Sequence, residues 1–185
     1  MNNFTKVALG TITTLATVAP GAMAGYQVEG YHLMDGSDFG PQNEVVATQI
    51  VNSLTDLGIP VFDGSKNNLE ACVPNKDGSR TLGYFVPSQD YVVVCTDGIG
   101  QDMQMETLVH ETVHVIQDAR DGLNNDTLVG PEGTYYKEVV SALPQYKEDT
   151  IVSLYDKEDW AIEAEAFLFE TEGQVVADEL ATWVF

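Results

Sequence analysis

The chain has 185 residues, of which 44% are hydrophobic, with three histidines and two cysteines. Its length and apolar content are typical of one globular domain with a sizeable core. The formal net charge is −21 at pH 7, and so acidic a protein is repelled by phosphate backbones, which excludes a nucleic-acid partner. The acids are dispersed without an acidic tail, which indicates a solvating surface.

The amino terminus has the pattern of a secretory signal peptide. Lys6 gives a positively charged start, residues 7–18 form a small apolar run, and residues 22–24 read Ala-Met-Ala, an A-x-A cleavage pattern. The apolar run is short for a bilayer span and rich in threonine. We therefore expect residues 1–24 to be removed on export, leaving residues 25–185 as one secreted or periplasmic/lumenal domain without stable membrane insertion.

The next segment predicts a helix followed by short strands. Residues 42–57 have helical character and end at Gly58. Strands are expected between residues 61 and 96, and two β-branched and aromatic runs, residues 81–86 and 91–96, predict a hairpin. An extended peptide can pair with an edge strand through its backbone, and the sequence leaves open which of the two strands is at the edge.

The two cysteines, Cys72 and Cys95, lie on either side of the first hairpin strand. An even pair in an exported chain predicts a disulfide, because the compartment is oxidising. Two buried thiols are the alternative. A bridge here would brace the strands just before the next helix.

The most informative run is His110-Glu111-Thr112-Val113-His114, an HExxH motif on a helix predicted over residues 102–121. It sets two imidazoles one turn apart with a carboxylate between them, which is the geometry for binding and using zinc. The opposite side of the helix is apolar. The polar side has no lysine or arginine before Arg120, so it does not resemble a solvated face built from i,i+4 ion pairs.

A catalytic zinc ion usually has three protein ligands, so a third is expected. His32 lies far upstream in a Gly- and Asp-rich segment and is not favoured. The better candidates, Glu163 and Glu165, lie in residues 159–167, an acidic and Ala-rich segment with helical propensity. Glu165 falls in an apolar arc of that helix, where a carboxylate needs a partner such as a metal.

Together the two segments resemble the gluzincin branch of the zincin metallopeptidases, in which a glutamate ligand on a later helix follows HExxH. The stretch from Trp160 to Ala166 is similar to the family signature W-x-x-E-[GA]-x-A, and this register implies Glu163 as the ligand, with Glu165 as the alternative. The resemblance implies an α+β, zincin-like fold. In that fold a small antiparallel sheet or hairpin packs on the HExxH helix, and further helices follow.

The chain departs from the family at Phe167, where several members have an aspartate that orients a ligand histidine. That hydrogen bond must then come from another residue, and Gln117 and Asp118 are the candidates.

The resemblance implies a zinc-dependent peptidase acting on a peptide or protein substrate. His110, His114 and Glu163 would bind Zn²⁺, and Glu111 would be the general base. The oxyanion requires a further hydrogen-bond donor. The candidates are three tyrosines between the motifs, Tyr135, Tyr136 and Tyr155.

Two other functions are compatible with parts of the sequence. A secreted binding protein with a zincin fold but no turnover would keep the metal site, although the intact Glu111 argues against it. A carboxylate-bridged di-iron protein would use Glu29 and His32 as a second E-x-x-H pair, in addition to Glu111 and His114. Glu29 lies among glycines just after the cleavage site, a poor position for a core helix. The sequence gives no oligomeric state.

Overall fold

The structure is a computed structural model and describes residues 30–120, 122–123 and 128–184. The predicted signal peptide and its cleavage site lie outside these residues. The described part is α+β. Its helices are α1 (Glu44–Asp56), α2 (Gln101–Ala119), α3 (Gly133–Ala142), α4 (Gln145–Leu154), α5 (Trp160–Phe169) and α6 (Gly173–Leu180), and its strands are β1 (Val61–Asp63), β2 (Gly83–Val86) and β3 (Tyr91–Val94).

The strands form one mixed sheet in the order β1-β3-β2. Strands β2 and β3 pair antiparallel, with Phe85 opposite Val92, which confirms the predicted hairpin. Strand β1 pairs with β3 in parallel, so the sheet is mixed, and only its hairpin part is antiparallel as expected. All four residues of β3 are buried, because this apolar run lies at the centre of the sheet and takes a partner on both edges. Strand β2 is an edge strand.

Helix α2 runs through the middle of the fold, in contact with the sheet and with α1, α5 and α6. Every residue from Thr107 to Ala119 is buried, so its polar side faces protein and not solvent. Helix α5 packs against α2. Its residue Ala166 is buried in the same core cluster as Leu108 and Val109 of α2, whereas Ala164 is buried on another side, with Val139 of α3 and Ile151 of α4. A Cβ on Gly83 of β2 would lie 2.4 Å from Cγ2 of Thr107, so this glycine lets the strand approach α2 closely.

The two cysteines form a disulfide, as predicted, with Cα atoms 5.2 Å apart. Cys72 ends a short 3-10 helix and Cys95 directly follows β3, so the bridge ties the loop after β1 to the central strand. Within the residues that the structure describes, no helix is long and apolar enough to cross a bilayer.

Candidate metal centre

The structure brings His110, His114 and Glu163 together into one cluster. Each offers a ligand atom, and these atoms all lie within 4.8 Å of one another. The histidines lie one turn apart on α2, and Glu163 lies in the first turn of α5, which packs against that side of α2. All three side chains are buried. They form the metal cluster, which could bind a metal ion.

The spacing of the donor atoms agrees with metal binding. Nε2 of His110 lies 3.4 Å from Oε2 of Glu163, and Nε2 of His114 lies 3.6 Å from Oε1 of the same carboxylate. Two ligands at about 2.0–2.1 Å from one tetrahedral ion are about 3.3–3.4 Å apart. Two imidazoles and one carboxylate are also a donor set that zinc accepts. The residues present therefore fit such an ion.

The outer nitrogen of His114 is held by Gln117, one of the two residues predicted to orient an imidazole. Nδ1 of His114 lies 2.8 Å from Oε1 of Gln117. Because that amide oxygen only accepts, Nδ1 carries the proton, and the lone pair of Nε2 faces Glu163. The amide nitrogen of Gln117 donates to the carbonyl of Ile162 on α5, which fixes the side chain between the two helices. Asp118, the other candidate, is buried as well.

The outer nitrogen of His110 lies near Glu170, which the sequence analysis missed. Nδ1 of His110 is 3.4 Å from Oε2 of Glu170, and Oε1 of that carboxylate is 3.1 Å from Nζ of Lys147. Lys147 is buried and donates to the carbonyl of Phe167. The sequence did contain a signal, since Glu170 follows Glu163 by seven residues, or about two helical turns. Glu170 is the C-cap of α5 with helical backbone angles, so both glutamates lie on the same side of the helix.

The electrostatics of the cluster favour a cation. Burial alone would lower the pKa of His110, but Glu163 and Glu170, with Glu111, raise it to about 10. At His114 burial dominates, and the pKa is lowered. The carboxylates around His110 therefore outweigh the cost of holding a positive charge in the interior.

Glu111 is buried beside the cluster, next to strand β2. Burial raises the pKa of its carboxyl group to about 8, Glu163 adds to this, and His110 and the backbone N–H of Phe85 oppose it. The N–H of Phe85 donates to the carboxylate, so β2 fixes the position of Glu111. A carboxyl group with a pKa near neutrality can take up and release a proton at physiological pH.

Of the three candidate tyrosines, Tyr155 lies at the cluster. Burial raises the pKa of its hydroxyl, and the nearby carboxylates of Glu163 and Glu111 raise it further. Its ring packs on Phe167 of α5, with centroids 6.4 Å apart. Tyr135 is used elsewhere, since its hydroxyl donates to Oε1 of Glu165.

Glu165 is placed with Arg120 and not with the histidines. The guanidinium donates to both carboxylate oxygens, at 2.7 and 2.8 Å, and Gln117 donates to Oε2 at 2.9 Å. Burial raises the pKa of Glu165, but these donors, with Tyr135, hold it below its ordinary value. A carboxylate in this apolar arc does need a partner, as the sequence indicated, and the partner is an arginine.

His32 lies in another part of the fold. Its Nε2 is 2.9 Å from Nζ of Lys66 and 3.8 Å from Oδ1 of Asp38, and its side chain is 43% exposed. It does not join the metal cluster. Glu29, the other member of the E-x-x-H pair considered for a di-iron site, lies outside the described residues.

No protein-family model, curated protein or solved structure matches this chain.

Proposed function

We propose that the protein is a secreted zinc-dependent metallopeptidase that hydrolyses peptide bonds. The observation that carries the proposal is the convergence of His110, His114 and Glu163 in the interior, with Glu111 buried directly beside them. This arrangement matches the gluzincin pattern of HExxH and a later glutamate. The disulfide supports export into an oxidising compartment.

In this proposal His110, His114 and Glu163 would hold the zinc ion, and Gln117 and Glu170 would orient the two imidazoles. When bound, zinc supplies a Lewis acid that lowers the pKa of water and polarises a substrate carbonyl. Protein side chains would supply the proton transfers and the hydrogen bond to the oxyanion.

Glu111 is the general base and then the general acid. Its carboxylate accepts a proton from the attacking water and passes it to the nitrogen of the leaving amine. Burial raises the pKa of this carboxyl group in the metal-free site, and a bound cation would lower it again, which favours the carboxylate that accepts the proton. The N–H of Phe85 holds the carboxylate in place. Tyr155 would donate its hydroxyl hydrogen bond to the oxyanion that develops on the substrate carbonyl.

Strand β2 would bind the substrate backbone. It is at the edge of the sheet, and Phe85 connects it directly to Glu111. An extended peptide can pair with an edge strand through main-chain hydrogen bonds, which give affinity without demanding a particular sequence. Peptides that are short or unfolded are the substrates that this arrangement favours.

A second candidate is an exported protein with a metal in the same cluster but no turnover. One observation favours it: His110, Glu111, His114 and Glu163 are only 1–6% exposed, and structural metal sites are closed. Against it, structural zinc sites usually have four protein ligands, whereas the cluster has three among the residues that the structure describes.

Metal content and peptidase activity separate the two candidates. We would measure both in the mature protein and in the variants His114→Ala and Glu111→Gln, with elemental analysis and a library of quenched fluorescent peptides. We expect near one zinc per chain in the wild type and in Glu111→Gln, little zinc in His114→Ala, and hydrolysis by the wild type alone. His32→Ala and Glu138→Gln are matched controls, since both residues lie outside the metal cluster and are exposed.

The contrary outcomes have distinct meanings. Stoichiometric zinc without hydrolysis of any peptide would favour the second candidate. Unchanged hydrolysis in Glu111→Gln would remove Glu111 from the mechanism, and a folded wild type that takes up no zinc would contradict the metal centre itself.

A further inference from the structure

A cavity of about 410 Å³ opens between α2, α5, α6 and the start of α3. We call it the α6 pocket. Its apolar lining includes Ile116 of α2, Phe169 of α5 and Val176 of α6, and its charged lining residues are Arg120, Glu132, Glu165 and Glu179. This volume lies within the usual range of small-molecule sites, about 300–1,000 Å³.

The α6 pocket is separate from the metal cluster. At about 100° per residue, Ile116 and Arg120 project from a different side of α2 than His110 and His114. On α5 the pocket is lined by Glu165 and Phe169, and Glu163 turns away from them toward the histidines. The pocket therefore lies beside the residues of the proposed peptidase chemistry without including them, and Gln117, which contacts His114, donates to Glu165 in its wall.

The charges in the pocket do not balance. The only cationic residue in its described lining, Arg120, is committed to Glu165 by a bidentate ion pair. Glu132 and Glu179 are exposed, and within the part of the chain that the structure describes no salt bridge neutralises either of them. Glu179 is also near enough to Arg120 to raise the pKa of the guanidinium, but three carboxylates against one guanidinium leave the lining with two negative charges in excess.

Apolar side chains are also left open to solvent at this pocket. Val175, at its edge, is 51% exposed, and Tyr135 is 41% exposed. Phe169 is only partly buried. An aromatic or aliphatic group that filled the cavity would remove this surface from water, at about 25 cal/mol per Å².

We propose that the α6 pocket binds a small organic cation, namely an amine or guanidinium carried on an aromatic or aliphatic body. The body packs against Ile116, Phe169 and Val176, and the charge is held by Glu132 and Glu179. The proposal does not rest on the metal cluster or on peptidase activity, because none of these residues contributes to either.

The test compares three probes with one skeleton and different charge: 2-phenylethylamine, 2-phenylethanol and 3-phenylpropionate. Binding to the full mature protein is followed by protein NMR titration. We expect saturable binding of the amine, at least tenfold weaker binding of the carboxylate, and an intermediate affinity for the alcohol. Equal affinity for the amine and the carboxylate, or no saturable binding of the amine, would overturn the proposal.

Two variants locate the site. The double substitution Glu132→Gln and Glu179→Gln should weaken amine binding at least tenfold and leave the alcohol unchanged. Its matched control, Glu44→Gln with Glu138→Gln, removes the same charge from exposed positions outside the pocket and should change neither.

The substitution Val175→Trp puts a large ring at the exposed edge of the pocket and should abolish binding of both probes. Thermal unfolding checks that this variant is folded. Amine binding that survives in the folded Val175→Trp protein would place the amine elsewhere and overturn the assignment.

Discussion

Oε2 of Glu170 lies 3.4 Å from Nδ1 of His110, while Oε1 of the same carboxylate lies 3.1 Å from Nζ of Lys147. The lysine thus holds the carboxylate against the imidazole. Phe167 occupies the position where several gluzincins have an orienting aspartate, and Glu170, at the C-cap of α5, lies beside the imidazole instead.

The substitution Glu170→Gln should therefore weaken zinc binding. Losing the carboxylate partner of a ligand histidine typically lowers metal affinity about 10–100-fold, because the ring is less well oriented and less basic. Competition with a fluorescent zinc chelator measures the change. Glu172→Gln, at an exposed position just before α6, is the control and should bind zinc like the wild type; equal affinity in Glu170→Gln would show that Glu170 does not support His110.

The substitution Glu111→Gln should stabilise the metal-free protein at alkaline pH. Burial raises the pKa of this carboxyl group from 4.5 to about 8 in the folded state. The folded state therefore holds the proton more tightly than the unfolded state, and the stabilisation present below pH 4.5 is lost as pH rises toward 8. A glutamine has no charge to bury, so the variant escapes this loss, which is on the order of a few kcal/mol.

Urea unfolding of the chelator-treated proteins at pH 5 and pH 9 tests this. The wild type should lose more unfolding free energy than Glu111→Gln between the two values. Parallel pH dependence in the two proteins would mean that Glu111 is not buried as a neutral acid.

Local patterns in the sequence were enough to predict the elements that carry the cluster. The helix expected over residues 42–57 is α1 at Glu44–Asp56, and the HExxH helix expected over residues 102–121 is α2 at Gln101–Ala119. Helical periodicity and the hairpin pattern depend on near neighbours, and a single sequence contains that information. The similarity of residues 160–166 to W-x-x-E-[GA]-x-A implied Glu163 as a ligand.

The relationships that the sequence did not reveal are those between distant residues. The parallel pairing of β1 with β3 and the ion pair of Arg120 with Glu165 join residues that are far apart in the chain. Nothing in the local pattern around Arg120 indicates which acid it meets. The helical periodicity of residues 102–121 separated a polar side of α2 from an apolar one. Only the packing of α5 shows that the polar side is buried.

Removal of the disulfide should destabilise the protein. The bridge from Cys72 to Cys95 spans a sequence separation of 23 residues, and the chain-entropy model assigns such a loop roughly 3 kcal/mol. We expect the variant Cys72→Ala with Cys95→Ala to lose about that much unfolding free energy in urea. Reductant should lower the stability of the wild type and leave the double variant unchanged; equal stability of oxidised wild type and variant would contradict the role of the bridge.

Asp63 should make the fold sensitive to acid. Burial would raise the pKa of this carboxyl group, but hydrogen bonds from the backbone of Lys66 and from the hydroxyl of Thr96, with the Lys66 ammonium, hold it below the ordinary 3.8. The folded state thus binds this proton more weakly than the unfolded state. The stabilisation is present above about pH 4 and is lost as pH falls through the folded-state pKa.

The comparison of Asp63→Asn with the wild type isolates this effect. At pH 7 the variant should be less stable by roughly 1.5–3 kcal/mol, the usual value of a hydrogen bond to a charged group. The difference should shrink as the pH is lowered to 3. A stability difference that is constant with pH would exclude titration of Asp63 as its origin.

Two isosteric substitutions two positions apart decide which glutamate binds the metal. Glu163 faces both imidazoles, whereas both oxygens of Glu165 are taken by Arg120. Glu163→Gln should therefore lose zinc, because a neutral amide is a far poorer ligand than a carboxylate. Glu165→Gln should retain near one zinc per chain and instead lose unfolding free energy, since it removes the charged acceptor for Arg120, Gln117 and Tyr135. A hydrogen bond to a charged group is worth about 1.5–3 kcal/mol.

Elemental analysis and urea unfolding on both variants distinguish the two glutamates. Loss of zinc is expected in Glu163→Gln, and loss of unfolding free energy with zinc retained is expected in Glu165→Gln. Restoring charge balance with Arg120→Met in the Glu165→Gln protein should recover part of the lost stability without altering zinc content. If Glu165→Gln lost the zinc and Glu163→Gln kept it, Glu165 would be the third ligand. Helix α5 would then have to face α2 with a different side. If both variants kept the zinc, the two histidines would bind it without help from α5.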